Sequence, residues 1–152
     1  MILPLAACVY GAGEARFRGS SESFDACVAI CSAELVHDRG MLTLELRDGA
    51  AIAVATNTGD LTADGVATLA SLEAALTEEA ASLTASECVE CGSVVQIGWV
   101  EGRLVTYDVS SDPPAALADM HSFALALRDA LASCTATADV EPTTSCTPTA
   151  LP

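Results

Sequence analysis

Between Ser93 and Cys134 the apolar positions follow two periods in succession. Val95, Ile97 and Trp99 alternate with other residues, Gly102 interrupts, and Val105, Tyr107 and Val109 resume the alternation of a half-buried strand. After Asp112-Pro113-Pro114 the spacing becomes three and four: Leu117, Met120, Ala124, Leu127, Leu131 and Cys134 form one helical stripe. The segment reads strand, turn, strand, helix. A three-residue loop, 100–102, pairs 99 with 103, 97 with 105 and 95 with 107. Val95, Ile97, Trp99, Val105, Tyr107 and Val109 then share a core face, and Gly102 closes the turn in the left-handed region. Asp112 is the expected helix cap, with Pro113 at the first helical position, where a missing N–H costs nothing.

An earlier stretch repeats this order. Leu42, Leu44 and Leu46 alternate, Asp48-Gly49 marks a turn, and Ala50, Ile52 and Val54 follow. A three-residue loop, 47–49, pairs 46 with 50, 44 with 52 and 42 with 54, with Gly49 matching Gly102 and Asp48 matching Glu101. Thr62 or Asp64 can cap a helix to about Leu83 with Leu69, Leu72, Leu76, Ala80 and Leu83 as its stripe. Glu73, Glu78 and Glu79 read as a solvated acidic face. Residues 23–36 fit a short amphipathic helix through Phe24, Cys27, Val28, Cys31 and Leu35, or an added strand, with the helix preferred.

Two ββα units, 41–83 and 94–134, imply an α+β two-layer sandwich. The expectation is a four-stranded antiparallel sheet with two helices on one face, plus an extra N-terminal helix or strand. Residues 23–134 make one domain. Residues 1–22 read as a truncated signal and flexible tether, and 135–152 as a Thr/Pro/Ser-rich tail, pinned at Cys146 if anywhere.

Composition narrows the chemistry. The chain of 152 residues is 51% hydrophobic but only 4% aromatic, so its core rests on Leu, Val and Ile. A net charge of −15 comes from 21 acidic residues against six arginines, with no lysine. Such a surface repels nucleic-acid phosphates and anionic lipid, so no nucleic-acid partner is expected. Without lysine there is no Schiff base and neither a P-loop nor a kinase lysine. No cofactor is expected.

Seven cysteines favour an oxidising compartment. Cys27, Cys31, Cys88, Cys91, Cys134 and Cys146 are disulfide candidates. The alternative is a zinc site of Cys27, Cys31, Cys88 and Cys91, or a thiol protein using the Cys88–Cys91 pair. As a redox motif that pair is misplaced, because it precedes a strand rather than opening a helix after one.

Leu5-Ala6-Ala7-Cys8 resembles the lipobox of bacterial lipoproteins, which implies cleavage before Cys8 and lipidation of its thiol. Only seven residues precede Cys8 and none is basic, so the resemblance implies a start upstream of Met1; the alternative is a chance match in an alanine-rich chain. The ββαββα order over 41–134, with its Pro-started last helix, resembles emfourin-type small bacterial proteins that inhibit metalloproteases. That resemblance implies an inhibitor acting through a loop or sheet edge, and it carries over no inhibitory residue.

His37 and His121 form no metal-binding or catalytic pairing, and no nucleophile elbow is present. No catalytic residue is therefore assigned. The reading is a non-enzymatic, disulfide-stabilised, extracytoplasmic monomer, secreted or held to the membrane only by a lipid on Cys8, with an unidentified protein partner. The emfourin-type inhibitor and the thiol or zinc protein are its alternatives.

Overall fold

A computed structural model of the chain describes residues 13–80, 83, 85, 92–100, 102–110 and 112–152. The strands are β1 (Phe17–Ser23), β2 (Ser32–Asp38), β3 (Met41–Arg47), β4 (Ala53–Leu61), β5 (Ser93–Val100), β6 (Arg103–Asp108) and β7 (Val140–Pro142). The helices are α1 (Ala63–Glu79) and α2 (Ala115–Ser133). All seven strands form one antiparallel sheet in the order β6-β5-β1-β2-β3-β4-β7.

This corrects the four-stranded sheet expected from periodicity. The two predicted ββα units exist, as β3-β4-α1 and β5-β6-α2, but their hairpins are not neighbours. The β1-β2 hairpin lies between them and supplies the centre of the sheet. Periodicity gives a tether and a short helix here instead, because β1 (FRGSSES) carries one large apolar side chain. Serine and glycine fill its middle for a packing reason: a Cβ on Gly19 would lie 2.1 Å from the Leu35 carbonyl oxygen. The third correction is β7, a short edge strand within the predicted tail.

The alternating residues Phe17, Leu35, Leu42, Leu44, Leu46, Val95, Ile97 and Tyr107 are buried on one face of the sheet. Both helices cover that face with Leu69, Leu76, Leu117, Met120, Ala124, Leu127 and Leu131. Thr43, Glu45, Arg47 and Thr106 point to the other, uncovered face and are half-buried.

The first hairpin differs from its predicted register. Leu46 pairs with Ala55, Leu44 with Asn57 and Leu42 with Gly59, leaving Ile52 and Val54 exposed. The reason is Asp48, whose Oδ1 accepts from the Ala50 and Ile52 amides at 2.9 and 3.0 Å and so stabilises a longer loop. Ala51, not Gly49, takes the left-handed position. In the second hairpin Val95 pairs with Tyr107 and Ile97 with Val105 as expected, and Gly102 has positive φ. A register shift then pairs Val100, not Trp99, with Arg103.

Helix ends explain the remaining architecture. Thr62 caps α1 by accepting from the Gly65 amide at 3.0 Å. Pro114, rather than Asp112, is the cap residue of α2, and it offers no side-chain bond. Instead Glu79 Oε2, from the end of α1, accepts from the Ala116 amide at 3.3 Å, so one helix caps the other. Arg128 on α2 forms an ion pair with Glu22 on β1, fastening the helix to the sheet. At its C-terminus α2 stops at Cys134 in the left-handed region. No described helix is long and apolar enough to cross a membrane.

Among the described residues two disulfides stabilise the domain: Cys27–Cys31 closes the β1-β2 connection, and Cys134–Cys146 ties the end of α2 to the C-terminal segment. Their sequence separations of 4 and 12 constrain the unfolded chain unequally. Chain entropy assigns the longer loop about 3 kcal/mol and the shorter about 2 kcal/mol. The double variant Cys134→Ser/Cys146→Ser is therefore expected to lower unfolding free energy more than Cys27→Ser/Cys31→Ser, measured by denaturant titration. Equal or reversed losses would contradict this ranking.

Candidate functional site

A cleft opens where the central strands part company. Gly19 and Val36 are the last paired residues of β1 and β2 at this end. Beyond them the backbone groups of Phe17 need other partners, and side chains provide both. Glu73 Oε1, from α1, accepts from the Phe17 amide at 3.0 Å, and His37 bonds the Phe17 carbonyl oxygen through Nδ1 at 3.0 Å. One turn further along α1, Thr77 Oγ1 accepts from the Ala15 amide at 2.9 Å. Helix α1 thus substitutes for a neighbouring strand along residues 15–17.

The tautomer of His37 follows from its second bond. The Gly40 amide can only donate, and it lies 3.0 Å from Nε2. Nε2 is therefore the bare acceptor, and Nδ1 carries the hydrogen donated to Phe17. The ring also stacks against Phe17, with centroids 6.4 Å apart.

The gap left by the diverging strands is a cleft of about 400 Å³. Phe17, Leu61 and Leu69 line it, together with Glu73, His37, Asp38, Trp99 and the guanidinium-bearing residues Arg16, Arg18 and Arg39. It adjoins a second depression of about 450 Å³ along α1 that shares Arg16, Ala70 and Glu73. Half of the chain's six cationic residues meet at the first cleft. Arg16 pairs with Glu14, and Arg39 with Asp38, at 3.0 and 3.4 Å. These pairs are exposed and hence weak.

Burial raises the Glu73 carboxyl above its ordinary value, opposed by the bond from the Phe17 amide and by the charge of Arg16. The sign follows directly. A carboxyl that holds its proton more tightly in the folded state adds stability at low pH, which is lost as pH rises from its unfolded value through its raised folded value. Glu73→Gln keeps the acceptor for the Phe17 amide and carries no charge. The stability of wild type relative to Glu73→Gln should fall as pH rises from about 4 to neutrality. A difference that is flat or rises with pH would contradict the assignment.

Cys27 is bonded to Cys31, so neither is a thiolate ligand in this form, and Cys134 is bonded to Cys146. Cys8, Cys88 and Cys91 lie outside the described residues. Among the described residues no group of three metal-ligating side chains converges. His121 is half-buried on α2, outside the cleft, and burial holds its pKa below the ordinary histidine value.

Trp99 was expected in the core and is half-exposed at the cleft. The bulge between Ile97 and Val100 redirects it. Glu73 was read as part of a solvated face, yet it stands four residues after Leu69 and three before Leu76, on the inner border of the stripe. The alternation Arg16-Phe17-Arg18 was the corresponding signal in β1, hidden by the glycine and serines around it. No family model, curated protein or solved structure matches this chain.

Proposed function

We propose that the protein is a non-enzymatic, disulfide-stabilised binding domain of the extracytoplasmic space, secreted or anchored through a lipid on Cys8, with the cleft beside α1 as its binding site. One observation carries the preference for binding over catalysis. The cleft's proton-carrying groups are already part of its frame, since both ring nitrogens of His37 and one carboxylate oxygen of Glu73 bond backbone groups. Moving a proton with His37 would break the bond that holds Phe17 or the one that holds the Gly40 turn, and Glu73 is fixed to the Phe17 amide through Oε1. The two disulfides support the compartment.

The compartment is tested by blocking free thiols before cell lysis and comparing masses with and without reduction. Protection of Cys27, Cys31, Cys134 and Cys146 is expected; four alkylated thiols would refute the reading. Metabolic labelling with an alkyne fatty acid tests the anchor. Label lost in Cys8→Ser supports it, and absence of label in wild type removes it.

A second reading, a protease-inhibiting domain, is favoured by the β1-β2 connection. There a disulfide closes the short loop Cys27–Cys31, which presents a fully exposed Val28 while its Ile30 is buried in the core. A covalently closed loop loses little entropy on docking. Titration against secreted proteases should then show inhibition that Val28→Asp abolishes, and inhibition unaffected by that change would exclude the loop.

A further inference from the structure

We propose that the cleft recognises a carboxylate carried on a compact apolar body, held by the Arg16, Arg18 and Arg39 guanidiniums with its apolar part against Trp99 and Val66. The inference rests on the binding-domain reading and names the class of ligand.

Charge is the first argument. In a chain of net charge −15 with six arginines and no lysine, three arginines line one cleft. Arg18 has no hydrogen bond or ion pair to any described residue, and the partners of Arg16 and Arg39 are exposed acids that an incoming anion can displace. Guanidinium takes a carboxylate through two parallel N–H···O bonds.

Backbone irregularity is the second, and it is independent of charge. Register shifts fall between Phe17 and Gly19 in β1 and between Ile97 and Val100 in β5, so facing strands both bulge at the cleft. Bulges re-aim side chains. The residue thrown out of β1 is Arg18; in β5 they are Gly98 and Trp99. Gly98 belongs to the same arrangement, because a Cβ there would lie 2.3 Å from Arg18 Cγ and 3.0 Å from the Arg16 carbonyl oxygen. The stem of Arg18 therefore lies over a position kept free of side chain.

The apolar body follows from the lining. Trp99 and Val66, each half-exposed, offer hydrophobic surface beside the cations, over a floor of the buried Phe17 and Leu69. Glu73 and Asp38 in the same cleft disfavour a doubly charged phosphate, which selects the singly charged carboxylate. Two sources present this chemistry: a free carboxylic acid, or the C-terminus of a peptide whose preceding residues run along α1 through the adjoining depression.

Trp99 is the only tryptophan, so its fluorescence reports on the cleft directly. Phenylacetate is titrated into the intact disulfide-bonded protein, with neutral phenylacetamide as comparison. A pentapeptide ending in phenylalanine, as free acid and as amide, forms the second arm. Saturable fluorescence changes are expected for the acids, with the matching amides weaker by about tenfold or more. Tighter binding of the peptide acid than of phenylacetate assigns the peptide source, and the reverse assigns the free acid.

Arg18→Gln, an exposed substitution whose fold is checked by circular dichroism, should weaken the acids and leave the amides unchanged. Acids and amides binding alike, no saturable change with either acid, or an Arg18→Gln variant equal to wild type would each overturn the ligand class. Recovery of chemically altered phenylacetate would instead refute the binding-only reading and leave carboxylate recognition standing.

Discussion

Replacing Asn57 by alanine is expected to lower the unfolding free energy by about 3 kcal/mol, since removing one partner from buried polar groups costs about 1–3 kcal/mol each. Asn57 is 3% exposed and lies on β4 beneath the end of α2. Its Nδ2 donates to the Leu131 carbonyl at 2.9 Å and to the Thr147 carbonyl at 3.0 Å, while its Oδ1 accepts from the Thr147 amide at 3.0 Å. One amide side chain thus joins the sheet, the last turn of α2 and the C-terminal segment. The expected result is a lower denaturant midpoint together with faster amide exchange at Thr147. A loss below about 1 kcal/mol, the net worth of one ordinary hydrogen bond, would show that the bracket is not cooperative. Asn57→Asp separates volume from bonding: it keeps the Oδ1 acceptor but loses the donor, and it should be nearly as damaging as alanine.

The second large effect reverses the expectation from helix propensity. Alanine is favoured over glycine inside a helix by about 1 kcal/mol, so Gly65→Ala in the first turn of α1 looks stabilising. Here the new Cβ would lie 2.0 Å from the Asp139 carbonyl oxygen and 2.8 Å from its carbon. Both are backbone atoms, so the segment leading into β7 must move. That movement strains the bond from the Thr62 amide to Asp139 and the pairing of Leu61 with Val140, whose side chain is fully buried. A net loss of about 1–3 kcal/mol is expected, the cost of overpacking. Faster exchange at the Thr62 amide, which donates to the Asp139 carbonyl, should accompany it, and a Gly65→Ala chain more stable than wild type would refute the close approach.

These two sites also show where periodicity stops being informative. The Leu42-Leu44-Leu46 alternation and the stripes of α1 and α2 fix which face of each element is buried, and those faces agree between sequence and structure. The β1 strand escapes that logic because its buried middle is Gly19 and Ser20, residues chosen for closeness to β2 and β5 rather than for apolar area. The first hairpin register failed because a side chain, Asp48, formed a loop that hydrophobic matching does not weigh. Trp99 was misplaced by one bulge, which turned an apparent core residue towards the cleft. Glu73 and His37 were unreadable as a pair, since nothing local shows that both bond the backbone of Phe17.

The order of the two ββα units, the buried stripes of β3, α1 and α2, the end of α2 at Cys134 and the lysine-free acidic composition are all legible along the chain. Only the tertiary structure decided that the β1-β2 hairpin separates those units, that β7 closes the sheet, and that three arginines share a cleft with Trp99. The physical reason is the range of the forces. Burial imposes a period on each element whatever covers it, and that period is written locally. Strand order depends on backbone hydrogen bonds, which any strand can offer to any other, and the cleft exists only because two strands separate and side chains from α1 and β2 satisfy what they leave.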